Sequence, residues 1–573
     1  MTDVIAARPG RALAVIIPLA FFLRVLGIGF GLYHPDEHLI VNHALAFGTG
    51  DLNPHMFYFP TLFLYLLFFV YGLFYVTGHL FQYFQNTDSF LNLYLLSPEI
   101  FYVIARVLGA LFGTMTVWLI YLLGKEYKSV RTGVYAALLL AVSFLHGRDS
   151  HFATMDITLV FFMTLSIYFL FRYLNLGSKR FYFLAVLMAG AASAVKYNAF
   201  ALAVPITFAY FFTSFDENFR RGRAEALKAL GLDGILSMFL LVAAFFVCSP
   251  YVLLDFKSAY PFVARLYEIN KGFKIGSWHH LKMLYDSLGP ALFVSALGGF
   301  FLGLWRLSKK EIVFVSLPLV YYLMITRAGQ PYERYVLAIV PFGILWAARF
   351  LEELRLNAEI RPRPLKFLAN LAVVFVIVLS VLPTLYSDLL FLRKDTRDLA
   401  GEWIHRYAQE DAVIVLDDPG QSPRLNVNRS QLRSALSRLR KEDPLSGLKA
   451  RRLEKRIWLE PYPSPSYNLH YLSANPVGDS FTLLGPFVPY DLEALKAIRV
   501  DYVVADGVSV IRHAAFYAAL KEAGQLVATF DPRRDPRKAM SAKNWTYLPI
   551  DSTFWNCQRP GPIITIYKVK KDG

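Results

Sequence analysis

The sequence predicts a polytopic α-helical membrane protein with about eleven spans, a juxtamembrane helix and a C-terminal extracytoplasmic α/β domain. Three observations predict this class. The 573 residues have a mean hydropathy of +0.40 and are 55% hydrophobic but only 18% charged. Several apolar runs reach the roughly 20 residues that a helix needs to cross a bilayer. After residue 392 the sequence becomes polar. These properties exclude an ordinary soluble enzyme and a disordered chain.

The charges of the loops indicate on which side of the membrane each loop lies. Alternate loops carry 18 Lys and Arg residues, whereas residues 32–97 contain none. The positive-inside rule therefore predicts that these basic loops and the N-terminus are cytoplasmic. The basic loops are residues 124–131, 172–180, 214–229, 306–310 and 349–366. The predicted spans are residues 11–31, 98–123, 131–147, 156–173, 181–195, 198–213, 231–251, 288–305, 311–326, 333–351 and 366–388.

One further apolar run, residues 60–81, is ambiguous. The charge pattern is consistent only if this run does not cross, so we expect an aromatic helix in the outer membrane interface. The alternative is a normal span. With eleven crossings, the C-terminus lies outside the cytoplasm. The net charge of +16 is explained by the basic cytoplasmic loops, so we predict no nucleic-acid partner.

The chain is predicted to form two domains, a transmembrane catalytic domain over 1–392 and an extracytoplasmic α/β domain over 393–573. Strand-like runs at Ala412–Leu416 and Tyr502–Ala505 alternate with helical patterns in the second domain. Between them, residues 424–456 contain eleven basic and three acidic residues. This segment is either a solvated helical hairpin or a surface that contacts anionic lipid headgroups.

The first outside loop opens with His34-Pro35-Asp36-Glu37-His38, directly after the first span. Two adjacent carboxylates at the membrane surface can supply a general base or bind a cation. The alternative is a helix N-terminus in which Asp36 caps a helix over 37–47. The two interpretations are compatible, because a capping turn also fixes a catalytic side chain.

Charged residues recur in the other outside loops. The loop from Arg148 to Asp156 includes His151, and its arginine is suited to a bidentate contact with a phosphate. Asp156 has the alternative of capping the next span, and Lys196 that of snorkelling to the interface. The turn that contains Arg327, Arg334 and Tyr335 places two arginines on the side that the positive-inside rule disfavours. An anionic ligand would account for them.

Two arginines, Arg24 and Arg106, lie within predicted spans. We expect both to face the protein interior and to pair with carboxylates. Carboxylates and phosphate-seeking cations at a bilayer surface suit the transfer of a group from a lipid phosphate to a hydroxyl or an amine. In such a reaction the base takes the acceptor proton and the cations stabilise the departing phosphate.

The order of these elements resembles the GT-C glycosyltransferases, specifically the family-39-like group that uses polyprenyl-phosphate sugars. That group includes protein O-mannosyltransferases and bacterial lipid A aminoarabinose transferases. The similar segments are Asp36-Glu37, Tyr58-Phe59-Pro60-Thr61-Leu62, Arg106-Val-Leu-Gly, the Arg148 to Asp156 loop, Gly190 to Tyr197, Arg334-Tyr335-Val-Leu to Pro341, Asp395-Thr-Arg397 with Trp403-Ile404, and Gly561 to Tyr567.

The resemblance implies an inverting transferase in which Asp36 is the catalytic base, supported by Glu37. It implies that Arg148, Lys196 and Arg334 hold the lipid phosphate. The remaining predicted substrate-binding residues are His151, Asp156, Arg327, Tyr335 and Tyr58. The chain departs from the family at residues 58–62, where relatives often have two prolines and sometimes a nearby Lys. We expect no cofactor, and a divalent metal is possible but not indicated.

The predicted partners are a polyprenyl-phosphate sugar, a glycan, lipid or protein acceptor, and membrane lipids. The predicted location is the inner (plasma) membrane, crossed several times. Two alternatives remain. A lipid or sugar transporter or flippase would place ionisable groups near the bilayer midplane within internal repeats, whereas here the acidic residues cluster in outside loops, no repeat is visible and a large outside domain is appended. A non-catalytic lipid-binding scaffold would not require Asp36.

Overall fold

A computed structural model describes residues 8–31, 33–271, 276–328, 332–359, 362–442, 447–472, 485–538 and 548–570. The chain divides into two units. The first comprises the described residues of Met1–Ile28, Asp36–Val76 and Phe101–Leu389. The second comprises those of Gly29–Pro35, Thr77–Ile100 and Leu390–Gly573, so it includes two short N-terminal segments. The functional assignment of residues 1–392 and 393–573 stays a prediction.

The chain up to Phe391 is helical. Its helices are α1 Pro9–Val25, α2 Glu37–Ala46, α3 Leu62–Leu80, α4 Thr87–Leu96, α5 Glu99–Tyr127, α6 Val130–Ala141, α7 Phe144–Asp149, α8 Asp156–Leu176, α9 Lys179–Ser193, α10 Ala203–Tyr210, α11 Asp216–Arg221, α12 Arg223–Cys248, α13 Tyr251–Leu254, α14 Phe256–Lys271, α15 Ser277–Leu288, α16 Pro290–Arg306, α17 Lys309–Ala328, α18 Val340–Glu359 and α19 Arg363–Phe391.

Eight helical segments in the described residues are long and apolar enough to cross a membrane, or nine if the bent pair α15–α16 counts as one span. Three predicted spans contain shorter helices, α1, α6 and α9, of 17, 12 and 15 residues. In the span that contains α6, the helix ends at Ala141, and two non-helical residues, Val142 and Ser143, separate it from α7. Leu62–Leu80 also meets the criterion for a span. Its interfacial placement therefore stays a prediction.

Two glycines of α5 let the loop after α7 approach this helix closely. A Cβ at Gly109 would lie 2.9 Å from the carbonyl oxygen of Phe152. A Cβ at Gly113 would collide with the side-chain oxygen of Ser150. Because a larger residue at either position would push the two apart, the small residues fix the loop against α5.

The second unit contains a six-stranded sheet in the order β3-β2-β1-β4-β6-β5. Strand β1 pairs in parallel with β2 and β4, whereas β6 pairs antiparallel with β4 and β5. The strands are β1 Val413–Leu416, β2 Asn468–Leu472, β3 Phe487–Val488, β4 Tyr502–Asp506, β5 Gly524–Phe530 and β6 Ile564–Val569. The helices are α20 Thr396–Tyr407, α21 Arg429–Glu442, α22 Gly447–Ile457, α23 Leu492–Ala497, α24 Gly507–Arg512 and α25 Ala514–Ala523. The predicted α/β class and its two strands are confirmed.

Asp417 follows β1 and generates a prediction about pH. Its carboxylate accepts hydrogen bonds from the hydroxyls of Tyr490, at 2.5 Å, and of Tyr517. Burial raises the pKa of Asp417 to about 6, although the two hydroxyls lower it in part. The folded state thus holds this proton more tightly than an unfolded chain, in which an Asp pKa is about 3.9. The contribution of protonated Asp417 to the stability of the folded state is therefore full below pH ~4 and is lost as the pH rises through about 6.

We therefore expect the melting temperature of Asp417→Asn to fall less than that of the wild type between pH 4.5 and pH 7.5, where roughly the whole titration occurs. Scanning fluorimetry of the full chain in detergent measures both profiles. Parallel profiles would contradict the assignment of this titration to Asp417.

Candidate functional site

Asp36 lies at the start of α2, and its side chain forms an ion pair with Arg334. It occupies the N-cap position but makes no side-chain capping hydrogen bond. The capping alternative is therefore wrong for this carboxylate. The side chain is 30% exposed, whereas that of Glu37 is fully buried. Of the two adjacent acids, Asp36 is the one that solvent or a substrate can reach.

Glu37 holds three segments together. Its carboxylate accepts hydrogen bonds from Arg106 Nε at 2.8 Å and Nη2 at 2.6 Å. It also accepts one from the backbone N–H of Ala153, at 2.8 Å. Arg106 donates further to the carbonyl of Ile28 after α1, at 3.0 Å. Glu37 thus fixes α2 against α5 and the 150–154 loop, and the prediction that Arg106 pairs with a carboxylate is confirmed.

A second ion pair joins Asp156 and Lys196, with 2.7 Å between Oδ1 and Nζ. Asp156 begins α8, and Lys196 lies between α9 and a 3₁₀ turn at Tyr197–Leu202. The Lys196 ammonium also lies 4.6 Å from the centre of the Tyr335 ring. Asp156 is the first residue of α8, after the N-cap residue Met155, so its place at a helix start agrees with the structural alternative. Lys196 donates to the Asp156 carboxylate, which does not agree with snorkelling to the interface.

One short turn contributes a residue to each of the two ion-pair sites. Arg334, the partner of Asp36, and Tyr335, which covers Lys196, are consecutive residues of the 3₁₀ turn Glu333–Tyr335. The Arg334 guanidinium also lies 5.0 Å from the centre of the Tyr332 ring. We call Asp36, Asp156, Lys196, Arg334 and Tyr335 the charged cluster. It combines two carboxylates with two cations, contributed by four separate segments of the chain.

Arg148 lies near this cluster and forms a buried ion pair with Asp149, at 2.7 Å. Burial raises the pKa of Asp149, the charge of Arg148 lowers it, and the negative charges of Asp156 and Glu333 raise it further. Of the members of the charged cluster, Asp156 is therefore close enough to Asp149 to affect its pKa.

His151 anchors the same loop. Its Nδ1 lies 3.0 Å from the carbonyl oxygen of Gly147, and its Nε2 lies 3.1 Å from that of Leu26. Burial lowers the pKa of His151 to about 4, so the ring is neutral at pH 7. A neutral imidazole has one N–H and donates to one of these two carbonyls, and the ring packs between Gly147 and Leu26 at the end of α1. His151 is therefore a positioning residue in this geometry.

Two predicted residues make no contact with the charged cluster among the described residues. Tyr58 is half-buried, and its ring centre lies 4.9 Å from that of Phe262. Arg327 is exposed near the end of α17, and within the described ranges it has no hydrogen bond or ion pair. Segment 57–58 is nevertheless linked to the residue after Lys196, because the Tyr197 hydroxyl donates to the carbonyl of Phe57 at 3.3 Å.

Sequence reasoning did not select Asp149 or Tyr332, both of which adjoin the site. Each lies next to or close to a selected arginine along the chain, so proximity in sequence was the available signal. In the part of the chain that the structure describes, no group of three or more His, Cys, Asp and Glu residues is arranged to hold a metal ion.

Comparisons with known proteins agree with the predicted resemblance. Residues 100–252 match the family model described as dolichyl-phosphate-mannose-protein mannosyltransferase. An uncharacterized protein of Aquifex aeolicus (strain VF5) is 26% identical over 295 residues, which cover 50% of this chain and 54% of that protein. The chain therefore matches about half the length of this relative.

Solved structures resemble the chain over most of its length. ArnT from Cupriavidus metallidurans in the apo state has a TM-score of 0.51 and 11% identity, and the match covers 98% of each chain. An oligosaccharyltransferase from Archaeoglobus fulgidus, tethered with an acceptor peptide, has a TM-score of 0.49 and 12% identity, over 87% of this chain and 68% of that one.

The similarity to ArnT confirms the predicted fold, a polytopic helical membrane protein with a C-terminal α/β domain. The family model matches residues 100–252, which are less than half of the chain, and the structural similarity shows the fold. No comparison supports the transporter alternative.

The Glu37–Arg106 pair generates a stability prediction. Glu37→Ala leaves a buried guanidinium without its carboxylate, which should lower the free energy of unfolding by about 3–5 kcal/mol. The double variant Glu37→Leu/Arg106→Leu should recover part of this loss, because it removes the unpaired charge but leaves the Ala153 N–H and the Ile28 carbonyl without these partners. Thermal unfolding in detergent measures both, with the exposed Asp51→Ala as the control. Equal melting temperatures for Glu37→Ala and the control would refute the proposed role of the pair.

Proposed function

We propose that this protein is an inverting membrane glycosyltransferase that moves a sugar from a polyprenyl-phosphate donor to an extracytoplasmic acceptor. The observation that carries the proposal is the charged cluster, in which the accessible carboxylate of Asp36 is paired with Arg334, and Tyr335, the next residue, lies against the Lys196 ammonium. A base and two phosphate-binding cations are what this reaction needs. The match of residues 100–252 to a family named for a dolichyl-phosphate sugar supports the same donor class.

In the proposed reaction, Asp36 removes the proton from the acceptor hydroxyl or amine as that group attacks C1 of the sugar. The bond between C1 and the phosphate oxygen breaks from the opposite face, so the anomeric configuration inverts. The bond electrons leave with the polyprenyl phosphate, whose growing negative charge Arg334 and Lys196 stabilise. No step requires a cofactor or a metal ion.

The ion pairs also suggest the order of binding. In the structure Arg334 is paired with Asp36, and Lys196 with Asp156. A phosphate that takes the two cations would compete with these carboxylates, because a phosphate oxygen is a strong acceptor for a guanidinium. Donor binding would thus free Asp36 to act as a base. We infer that the donor binds before the acceptor is deprotonated.

The other predicted site residues take supporting roles. Tyr335 and Asp156 fix the Lys196 ammonium from two sides. Glu37 and His151 hold the segments that carry Asp36 and Arg148. Arg148 would contribute charge to the phosphate site, since its pair with Asp149 lies within reach of the cluster. Tyr58 and Arg327 would contact parts of the donor or acceptor away from the cluster.

The proposed setting is the inner (plasma) membrane, which the chain crosses several times. The N-terminus would be cytoplasmic, because the basic loops are on its side. The second unit would then be extracytoplasmic and would help to select a glycan, lipid or protein acceptor.

The role of Asp36 is tested by Asp36→Asn. We expect kcat to fall by about 10²–10⁴-fold, the usual contribution of a general base. Binding of undecaprenyl phosphate should persist or tighten, because Arg334 loses its competing carboxylate. The assay measures sugar transfer in liposomes from a panel of polyprenyl-phosphate sugars, with Asp51→Asn as the control. Wild-type turnover by Asp36→Asn would eliminate Asp36 as the base.

The phosphate site is tested by Arg334→Gln and Lys196→Gln. Each variant loses a charge-assisted hydrogen bond to the donor, so the KM for the donor should rise by about 10–100-fold. The KM for the acceptor should change far less. The control is Arg220→Gln, which removes an exposed arginine paired with Asp216. An equal loss for donor and acceptor would contradict a phosphate-binding role.

A further inference from the structure

A basic helical hairpin of the second unit carries charge that the proposed reaction does not use. We define the basic hairpin as α21, Arg429–Glu442, with α22, Gly447–Ile457. Its apolar side is fixed in the protein, because Leu432 and Ile457 are buried in the core beside the sheet. Residues 424–456 contain eleven basic and three acidic residues. Within the described part of the hairpin, Arg433, Arg438, Arg440 and Arg451 are exposed, so the surface away from the core carries positive charge.

Only part of this charge is neutralised within the protein. Arg429 pairs with Glu460, and Arg440 pairs with Glu454. By contrast, Arg433, Arg438 and Arg451 are exposed, and no hydrogen bond or ion pair to another described residue reaches them. Three guanidinium groups on one hairpin thus remain available for an external anion.

The hairpin is attached to a connector that has to lie at a membrane surface. Lys455 forms an ion pair with Asp88 of α4. Arg452 donates to the hydroxyl of Tyr94, also of α4, at 3.2 Å, and its guanidinium lies 5.3 Å from the centre of that ring. The connector, residues 81–98, joins Leu62–Leu80 to Glu99–Tyr127, and both helices have the length and hydropathy of membrane spans. So short a connector keeps α4, and the hairpin bound to it, close to the bilayer.

Exposed apolar side chains lie in the same two segments. Phe81, which begins the connector, is 82% exposed, and Trp458, which follows α22, is 75% exposed. Leu80 and Tyr83 are also exposed. Aromatic side chains of this kind are enriched at membrane–water interfaces, and a basic surface with apolar residues beside it is typical of interfacial binding to anionic lipid.

We propose that the basic hairpin binds the headgroups of anionic phospholipids in the leaflet next to the connector. The exposed arginines would bind the lipid phosphates, while the aromatic side chains would enter the interfacial layer. This inference is independent of the transfer reaction, because none of its residues belongs to the charged cluster. The competing occupant is a soluble phosphorylated glycan, which has the same anionic groups but no membrane.

The test uses the full chain in nanodiscs of phosphatidylcholine, alone or mixed with increasing phosphatidylglycerol. Hydrogen–deuterium exchange of α21 and α22 should slow as phosphatidylglycerol is added, and high salt should reverse the effect. In Arg433→Gln/Arg438→Gln/Arg451→Gln, the phosphatidylglycerol fraction at half-maximal protection should rise at least about tenfold, since each basic residue near an anionic surface contributes roughly a fivefold factor.

The matched control is Arg406→Gln/Arg512→Gln/Lys521→Gln, which removes three exposed charges from other helices of the second unit. It should keep the wild-type dependence on phosphatidylglycerol. Unchanged melting temperatures show that both triple variants are folded. If the hairpin variant misfolds, the single variants Arg433→Gln and Arg451→Gln replace it. Each should raise the phosphatidylglycerol fraction at half-maximal protection about fivefold.

The proposal is overturned if exchange in the hairpin is the same with and without phosphatidylglycerol, or if the hairpin variant keeps the wild-type response. It is also overturned if only a soluble phosphorylated oligosaccharide, added to phosphatidylcholine nanodiscs, protects the hairpin. That result would make the surface a site for a glycan.

Discussion

The buried pair between Glu37 and Arg106 is the constraint on which the proposed site depends. A carboxylate and a guanidinium without exposure are stable only when both are fully hydrogen-bonded, and here each is. The pair fixes the start of α2 to α5 and to the loop that follows α7, the helix that carries Arg148. Because Asp36 precedes Glu37, the same lock sets the position of the accessible carboxylate. The charged cluster is thus assembled by an interaction that itself touches no substrate.

The cluster pairs each candidate catalytic or phosphate-binding group with a group of opposite charge. This arrangement keeps two carboxylates and two cations stable beside a bilayer, where an unpaired charge is costly. It also gives the donor phosphate a way to change the site, because the phosphate can replace a carboxylate at Arg334 and at Lys196. The same four charged side chains, Asp36, Asp156, Lys196 and Arg334, therefore form the ion pairs without donor and take part in the proposed reaction.

The sequence predicted most helices and two strands, but it did not predict which charged side chains pair with each other. Hydropathy and loop charge predicted the helices, and local composition predicted β1 and β4, because these signals are periodic and short-range. The occurrence of Asp36, Lys196 and Arg334 in outside loops predicted that they share one site, and the structure pairs Asp36 with Arg334 and Lys196 with Asp156. The individual pairings were not predictable, since the choice of Arg334 for Asp36 depends on side-chain contacts between residues 298 positions apart. Arg24 illustrates the same limit, because its guanidinium is hydrogen-bonded to the carbonyls of Leu140 and Ala141 and to His146 rather than to the expected carboxylate.

The most direct measurement is a cryo-electron microscopy structure of the full chain in lipid nanodiscs with undecaprenyl phosphate bound. The account predicts that the phosphate lies within hydrogen-bonding distance of both Arg334 and Lys196, and that the Asp36 carboxylate is released and open to an acceptor. A phosphate bound away from these two residues, with the ion pair between Asp36 and Arg334 intact, would contradict it.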